Sequence, residues 1–291
     1  MANLKEIRNR ITSISSTMQI TSAMKMVSAA KLKRAQDAIT QMRPYSEKLQ
    51  EILGNLSATL DLSENAYSEA REVKNVLVVG ITSNRGLCGG FNNNIIKRVN
   101  RLVNEEFADS NPKVLCLGKK IKDIYKKTDK YFINDSLAPV EDIFNELTFD
   151  NVAIIGENLM ELFTEKSFDK VVIVYNRFIN AASQEVMAED FLPIIPTVQE
   201  GENSAGDYIF EPSKNEIVED LIPKSLKIQL FKGLLDSHAS EHGARMTAMH
   251  KATDNANEMK DDLTLSYNKA RQAAITNEIL EIVGGAEALN G

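Results

Sequence analysis

Three stretches of the chain carry residue types and spacings able to do chemistry. In the first, a β-branched apolar run at residues 76–81 leads into Arg85-Gly86-Leu87-Cys88-Gly89-Gly90 and then into a helical period. A glycine-rich turn between strand and helix can bring backbone N–H groups onto a phosphate at the helix N-terminus. Here the spacing is neither G-x-G-x-x-G nor G-x-x-x-x-G-K-[ST], and the next strand runs into Gly118-Lys119-Lys120 where a ribose-binding acid is expected. The turn reads better as a close-packing device that leaves Arg85 exposed to face a partner. In the second stretch, His238-Ala-Ser-Glu241-His242 matches the H-x-x-E-H pattern of inverted zinc peptidases, in which two imidazoles one helical turn apart grip a metal. A third ligand would have to come from elsewhere in a chain with three histidines, so a surface His238 and a seam His242 are the simpler reading, and no metal or cofactor is expected. The third feature is a pair of thiols: Cys116, inside an apolar strand, reads as core, and Cys88, in the turn, as the more exposed of the two.

The elements that must position these residues follow from composition and period. A 291-residue chain with 43% hydrophobic and 26% charged residues, and a mean hydropathy of -0.24, is a folded chain of roughly two domains. Its longest apolar run, residues 76–81, is far short of the roughly 18 residues needed to span a bilayer, and no signal-peptide core follows Met1. The chain is therefore expected to be neither inserted nor exported, and two cysteines without a disulfide framework suit a reducing compartment. The absence of Trp, 6% aromatics and a net charge of -7 argue against a general nucleic-acid binder. The charge is uneven: residues 1–43 hold eight Lys or Arg against Glu6 and Asp37, a net of +6, whereas residues 44–223 sum to -12 and residues 224–291 to -1.

Both ends read as long helices. Leu4, Ile7, Ile11, Ile14 and Met18, then Leu32, Ala35, Ile39 and Met42, keep a 3-4 spacing, with Thr21, Lys25 and Ser28 at the intervening seam positions. A second set, Ile20, Ala23, Met24, Val27 and Ala30, covers another face, so one partner helix cannot enclose the segment. The other end repeats the period from Ile228 through Leu235, His242, Met249, Ala256, Met259, Leu263 and Tyr267 to Ala274. At ~1.5 Å per residue each helix reaches roughly 80 to 90 Å, and the simplest solution is an antiparallel pair in which each supplies the other's seam. A compact chain of this length would have a radius of gyration near ~19 Å, and a clearly larger value is expected. Between them, strands at 76–81, 114–117 and 171–175 alternate with helices at 91–107, 118–127 and 152–163, as in an α/β domain on a mainly parallel sheet. Residues 185–195, limited by Pro193 and Pro196, add an edge strand, and residues 196–216 read as a loop. The fold expected is thus α/β plus coiled coil: long antiparallel terminal helices at 1–58 and 216–291, around a central Rossmann-like α/β domain at 59–215.

The basic first helix is too long and regular for a transit peptide, and its charge is spread along the heptads instead of bunched ahead of them as in a basic zipper. A shaft whose faces meet acidic partners uses both its charge and its double apolar surface.

The residues themselves carry a resemblance. Gln19-Ile-Thr-Ser-Ala-Met24-Lys25-Met-Val-Ser-Ala-Ala-Lys31, the Arg85–Asn92 loop, Ser240-Glu-His-Gly-Ala-Arg245-Met-Thr-Ala-Met249, and Ala273-Ala-Ile-Thr276-Asn-Glu278-Ile-Leu-Glu281 through Gly285-Ala286 resemble the gamma subunits of F-type ATP synthases. The likeness covers both ends and the middle, with residues 120–215 alike only in general character. It implies a non-catalytic central-stalk rotor that couples rotation of a membrane c ring to conformational change in the catalytic beta subunits. The partners it implies are an alpha3beta3 hexamer, epsilon and the c ring, at the cytoplasmic face of a bacterial inner membrane. By family position it puts torque and beta or alpha contacts on Met24, Lys25, Arg271, Gln272, Thr276 and Glu278, and a hexamer-rim loop at Arg85, Gly86, Cys88 and Gly89. It implies no redox-regulated chloroplast form, since no cysteine-bearing insertion interrupts the centre. Gly243 departs from a stiff helix, at a cost of about 1 kcal/mol relative to Ala. From another class, a Rossmann-like nucleotide-binding enzyme with helical arms would need the isolated chain to bind a nucleotide; a basic coiled-coil adaptor would need salt-sensitive DNA retention.

Overall fold

The computed structural model describes residues 4–57, 65–69, 71–133, 142–194 and 214–290. In chain order its elements are helix α1 (Leu4–Ser57), strand β1 (Asn75–Ile81), α2 (Phe91–Arg101), β2 (Asn111–Leu117), α3 (Lys119–Tyr125), α4 (Phe149–Thr164), β3 (Lys170–Phe178), β4 (Gln184–Leu192) and α5 (Lys214–Asn290). Helices α1 and α5 run through Pro44 and Pro223, each of which forgoes one intrahelical bond. Two compact units divide the chain: Met1–Ser28 with Met246–Gly291, and Ala29–Arg245. The divisions expected after residues 58 and 215 follow secondary structure, whereas these units part inside both terminal helices.

The larger unit is built on a four-stranded mixed sheet of order β2-β1-β3-β4, with β1 parallel to both neighbours and β4 antiparallel to β3 at the edge. β1 is apolar on both faces because both are covered. Leu77, Val79 and Ile81 join Leu159, Phe163, Leu226 and Leu230 in one core, and Val76 and Val78 join Ile95, Val99 and Ile121 in the other. The helix expected through residue 107 is α2 up to Arg101 and then a wide turn at Leu102–Glu106, closed by Phe107 N–H bonding the Leu102 carbonyl at 2.8 Å. The edge strand ends at Leu192, before Pro193. Of the loop expected at 196–216, residues 196–213 lie outside the described residues and 214–216 open α5. Gly118 has φ +109°, and a Cβ there would sit 2.1 Å from the Thr82 carbonyl oxygen, so only glycine can join β2 to α3. Gly243 has a packing role: its Cβ position is 3.2 Å from both Cα and the carbonyl oxygen of Ala181 in the turn between β3 and β4.

In the smaller unit the seam positions of α1 are shielded: Ile7, Thr21 and Ser28 are buried and Leu4, Ile11, Ile14, Met18 and Lys25 half-buried. The Thr21 and Thr253 hydroxyls lie 2.8 Å apart, and each is also within reach of a carbonyl of its own helix, that of Met18 or Met249; with one proton apiece, one hydroxyl donates across the pair and the other to its own helix. Both threonine hydroxyl protons thereby have an acceptor. Arg10, Ser13 and Ile14 share a groove with Met259, Asp262 and Leu263, so numbers fall along one helix as they rise along the other. Met259 and Ala274 depart from the expected seam of α5: both are exposed, Met259 by 57% at this groove.

Candidate functional site

The turn after β1 is held from within and from α5. Ser83 N–H donates to Asn92 Oδ1 at 2.9 Å and Ser83 Oγ to the Arg85 carbonyl at 2.6 Å, while Asn92 Nδ2 donates to Cys88 Sγ at 3.1 Å. Asn84 Oδ1 accepts from Lys119 N–H and Thr82 Oγ1 from Ile121 N–H, tying the turn to the start of α3. Arg245 then reaches in from α5. Its Nη2 donates to the carbonyls of Arg85 at 3.1 Å and Gly86 at 3.2 Å, and its Nη1 to Glu241 Oε1 at 2.6 Å. One guanidinium thus caps two loop carbonyls and neutralises a carboxylate four residues away on its own helix, all in a buried setting.

That arrangement sets what the turn can do. It lies at the carboxyl end of β1, which sits between its two parallel neighbours β2 and β3, and open α/β sheets hold ligands at the carboxyl ends of their strands. Here α5 occupies the place. Ser240 Oγ donates to the Asn176 carbonyl, Asn176 Nδ2 donates to the Phe91 carbonyl, and Arg245 takes the two carbonyls at the tip. What remains outward is Arg85, Gly89 and Leu87, the last 64% exposed at φ +60°. An exposed apolar side chain held in the left-handed region costs about 1–3 kcal/mol and is retained where the surroundings impose it.

Two expectations are corrected. Cys88 is buried, not the exposed thiol, because Ser83, Asn92 and the Arg85 carbonyl close around it; burial pushes its thiol pKa up, against the pull of Arg245 and the Ser83 bond. His238 is not a surface residue. Its ring stacks near Phe144 and meets His242 edge-on, with the two Nε2 atoms 3.1 Å apart. Burial, and then Lys31 and Arg245, lower His238 to about 4; burial, then His238 and Arg245, lower His242 to about 3. Both rings are therefore neutral near pH 7 and share one hydrogen bond. Glu241 is raised by burial, against Arg245. No group of three His, Cys, Asp or Glu residues suited to a metal exists among the described residues.

The second surface belongs to the smaller unit. Met24 and Lys25 are half-buried on α1, and Arg271, Gln272, Thr276 and Glu278 are exposed on α5. They do not converge: with Thr21 opposite Thr253, Met24 is level with residue 250, so Arg271 stands about 30 Å further along the helix. What unites them is setting. The second apolar face of α1 is open, with Ile20 and Val27 both near 60% exposed, and along α5 residues 271–286 are all exposed, including Ile275, Ile279, Leu280, Ile282 and Val283. Spacing alone missed Arg245 and Leu87. The available signal for Arg245 was an acid and a base four apart, Glu241 and Arg245, beside a seam position where isolated charge is costly.

Comparison with known proteins gives the same picture over the whole chain. A family model described as ATP synthase matches residues 3–289. The ATP synthase gamma chain of Flavobacterium johnsoniae is 64% identical and that of Christiangramia forsetii 63%, each alignment covering 100% of both chains. Among solved structures, a chain of the central stalk and c ring of the Tetrahymena thermophila mitochondrial ATP synthase matches with a TM-score of 0.57 at 26% identity, over 80% of this chain and 99% of that one. A rotor chain of the Euglena gracilis mitochondrial enzyme shares the fold, with a TM-score of 0.64 at 21% identity over 94% and 98% of the two chains.

Proposed function

Because this chain belongs to the ATP synthase gamma chain family, we propose that it is the central-stalk rotor of a proton-translocating F-type ATP synthase, without catalysis of its own. In this reading α1 and α5 form an antiparallel coiled coil inside an alpha3beta3 hexamer. The sheet-bearing part is a Rossmann-like foot on the c ring beside epsilon, at the cytoplasmic face of a bacterial inner membrane. Among the described residues no helix is long and apolar enough to cross a membrane, which fits a peripheral attachment.

One observation carries the reading. The helix pair of the smaller unit buries its seam, yet leaves Ile20, Met26 and Val27 on α1 and Ile275, Ile279, Ile282 and Val283 on α5 between 49% and 66% exposed. A surface this apolar on more than one side marks an enclosing partner. Because its faces differ, each surrounding subunit meets a different contact set. A ligand or partner shifts a conformational equilibrium only by its differential affinity, and moving one from 1:99 to 99:1 takes about 5.5 kcal/mol. At ~25 cal/mol per Å² that is roughly 220 Å² of apolar contact, within reach of two or three large side chains. Turning the shaft would carry that bias from one catalytic subunit to the next. Met24, Lys25, Arg271, Gln272, Thr276 and Glu278 would meet the surrounding subunits, and Arg85, Gly86 and Gly89 the hexamer rim, with Cys88 acting inside the turn.

Co-expression with alpha, beta and epsilon tests this. The chain should co-purify with them, and ATP hydrolysis should be present in the assembly and absent from the chain alone. Hydrolysis by the isolated chain, or failure to co-purify, would overturn it. Arg271→Ala and Glu278→Ala should leave the isolated chain's unfolding midpoint unchanged while lowering the turnover of the assembly.

A further inference from the structure

A cleft of about 360 Å³ opens in the larger unit between α1, the β3–β4 hairpin and α5, away from the turn held by Arg245. Its walls bring Arg43 and Ser46 from α1, Arg177 and Phe178 from β3, and Lys232 and Asp236 from α5 into one space. Arg177 is paired with Glu185 across the hairpin. No ion pair engages Arg43 or Lys232 among the described residues. Asp236 is 6% exposed, and no donor bonds its carboxylate among the described residues. Burial raises its pKa to about 6, against Lys232, Arg43 and Arg177 and with Glu189, which is itself bonded by the Tyr175 hydroxyl at 2.7 Å. The Ser46 hydroxyl, 5% exposed, adds a neutral donor.

With Arg177 and Glu185 cancelling, the cleft holds two unpaired cations against one carboxylate. An orphaned carboxylate alone would invite a cation, but Arg43 and Lys232 beside it leave the lining with one net positive charge and supply forked and point donors suited to phosphate oxygens. We propose that this cleft binds a phosphate group, free or at the end of a small phosphate ester, held by Arg43, Lys232 and Ser46 with Arg177 at its edge. Asp236 then acts as a brake: ionised it repels the ligand, and protonated it adds a donor. For an anion of fixed charge, binding should strengthen as pH falls from 8 to 5.

Calorimetry on the full chain, with orthophosphate and ADP titrated separately, reads the site; sulfate, whose charge does not change across the range, isolates the pH effect. Arg43→Gln with Lys232→Gln should weaken phosphate binding at least tenfold. Asp236→Asn, which removes a repelling charge, should strengthen sulfate binding several-fold at pH 8 and leave it nearly unchanged at pH 5. A response confined to ADP but abolished by the double variant assigns the site to a terminal phosphate; a response to orthophosphate assigns it to the free ion. The proposal fails if neither binds, if the double variant binds as well as the parent, or if Asp236→Asn weakens binding at pH 8. The rotor reading is untouched by any of these results, since it is tested by co-assembly.

Discussion

At the scale of single residues, the energetics concentrate where charges and imidazoles are buried on α5. Removing Arg245 leaves Glu241 as an uncompensated buried carboxylate and frees the Arg85 and Gly86 carbonyls, so Arg245→Ala should cost about 3–5 kcal/mol in urea unfolding. The double variant Glu241→Gln with Arg245→Met should recover much of that loss, because the stranded charge goes with it. The His238–His242 pair sets an acid limit. In the unfolded chain both rings take a proton near pH 6.5, which the folded pair refuses until about 4 and 3. Acid therefore favours the unfolded chain: this contribution is intact above pH 6.5 and is lost progressively as the pH falls below it. His238→Gln with His242→Gln should flatten the fall in urea midpoint between pH 7 and 5. Asp236 acts in the opposite sense, since its folded form holds a proton to about pH 6, against roughly 3.8 when unfolded. Asp236→Asn should thus raise the midpoint at pH 8, by up to about 2–3 kcal/mol, and hardly at all at pH 4. None of these roles could be read from spacing. His238-Ala-Ser-Glu241-His242 looks like a metal motif in one dimension, and only burial, with Lys31 and Arg245 close by, makes it a neutral pair beside an ion pair.

At the scale of elements, period was a sound guide and boundaries were less so. The seam positions read from 3-4 spacing on α1, from Leu4 to Met42, are all buried or half-buried, because a stripe that packs on one side of a helix must recur about every 3.5 residues. The strands were equally plain, since a sheet covered on both sides needs unbroken apolar runs. The end of α2 and the close approach at Gly243 were not legible: the first is a one-residue widening of the turn that leaves the apolar period unbroken, and the second depends on the Ala181 carbonyl, far away in sequence. Gly118→Ala places a methyl carbon 2.1 Å from the Thr82 oxygen at φ +109° and should cost more than about 2 kcal/mol in urea unfolding. Gly243→Ala should be near neutral, its gain of about 1 kcal/mol in helix propensity offset by the 3.2 Å contacts, whereas Gly243→Leu should lose about 1–3 kcal/mol.

At the scale of the whole molecule, the proposed function assigns the apolar residues that stay exposed on α1 and α5 to an assembly and not to the chain's own stability. Ile279→Glu with Ile282→Glu should leave the unfolding midpoint within about 0.5 kcal/mol of the parent, because neither side chain packs on this polypeptide, and should sharply lower co-purification with alpha and beta. Equal loss of fold and assembly would contradict that division. The amino-acid sequence by itself determined the two long helices, the shielded stripe of α1, the alternation of strands and helices, and the family, because periodicity and local motif are properties of neighbours along the chain. The tertiary structure alone decided that Cys88 is sealed, that His238 and His242 share a hydrogen bond, that Arg245 holds the Arg85–Gly86 carbonyls, and that Arg43, Lys232 and Asp236 face one cleft. Those facts turn on burial and on distances between residues up to 190 or more positions apart, and a linear pattern carries neither.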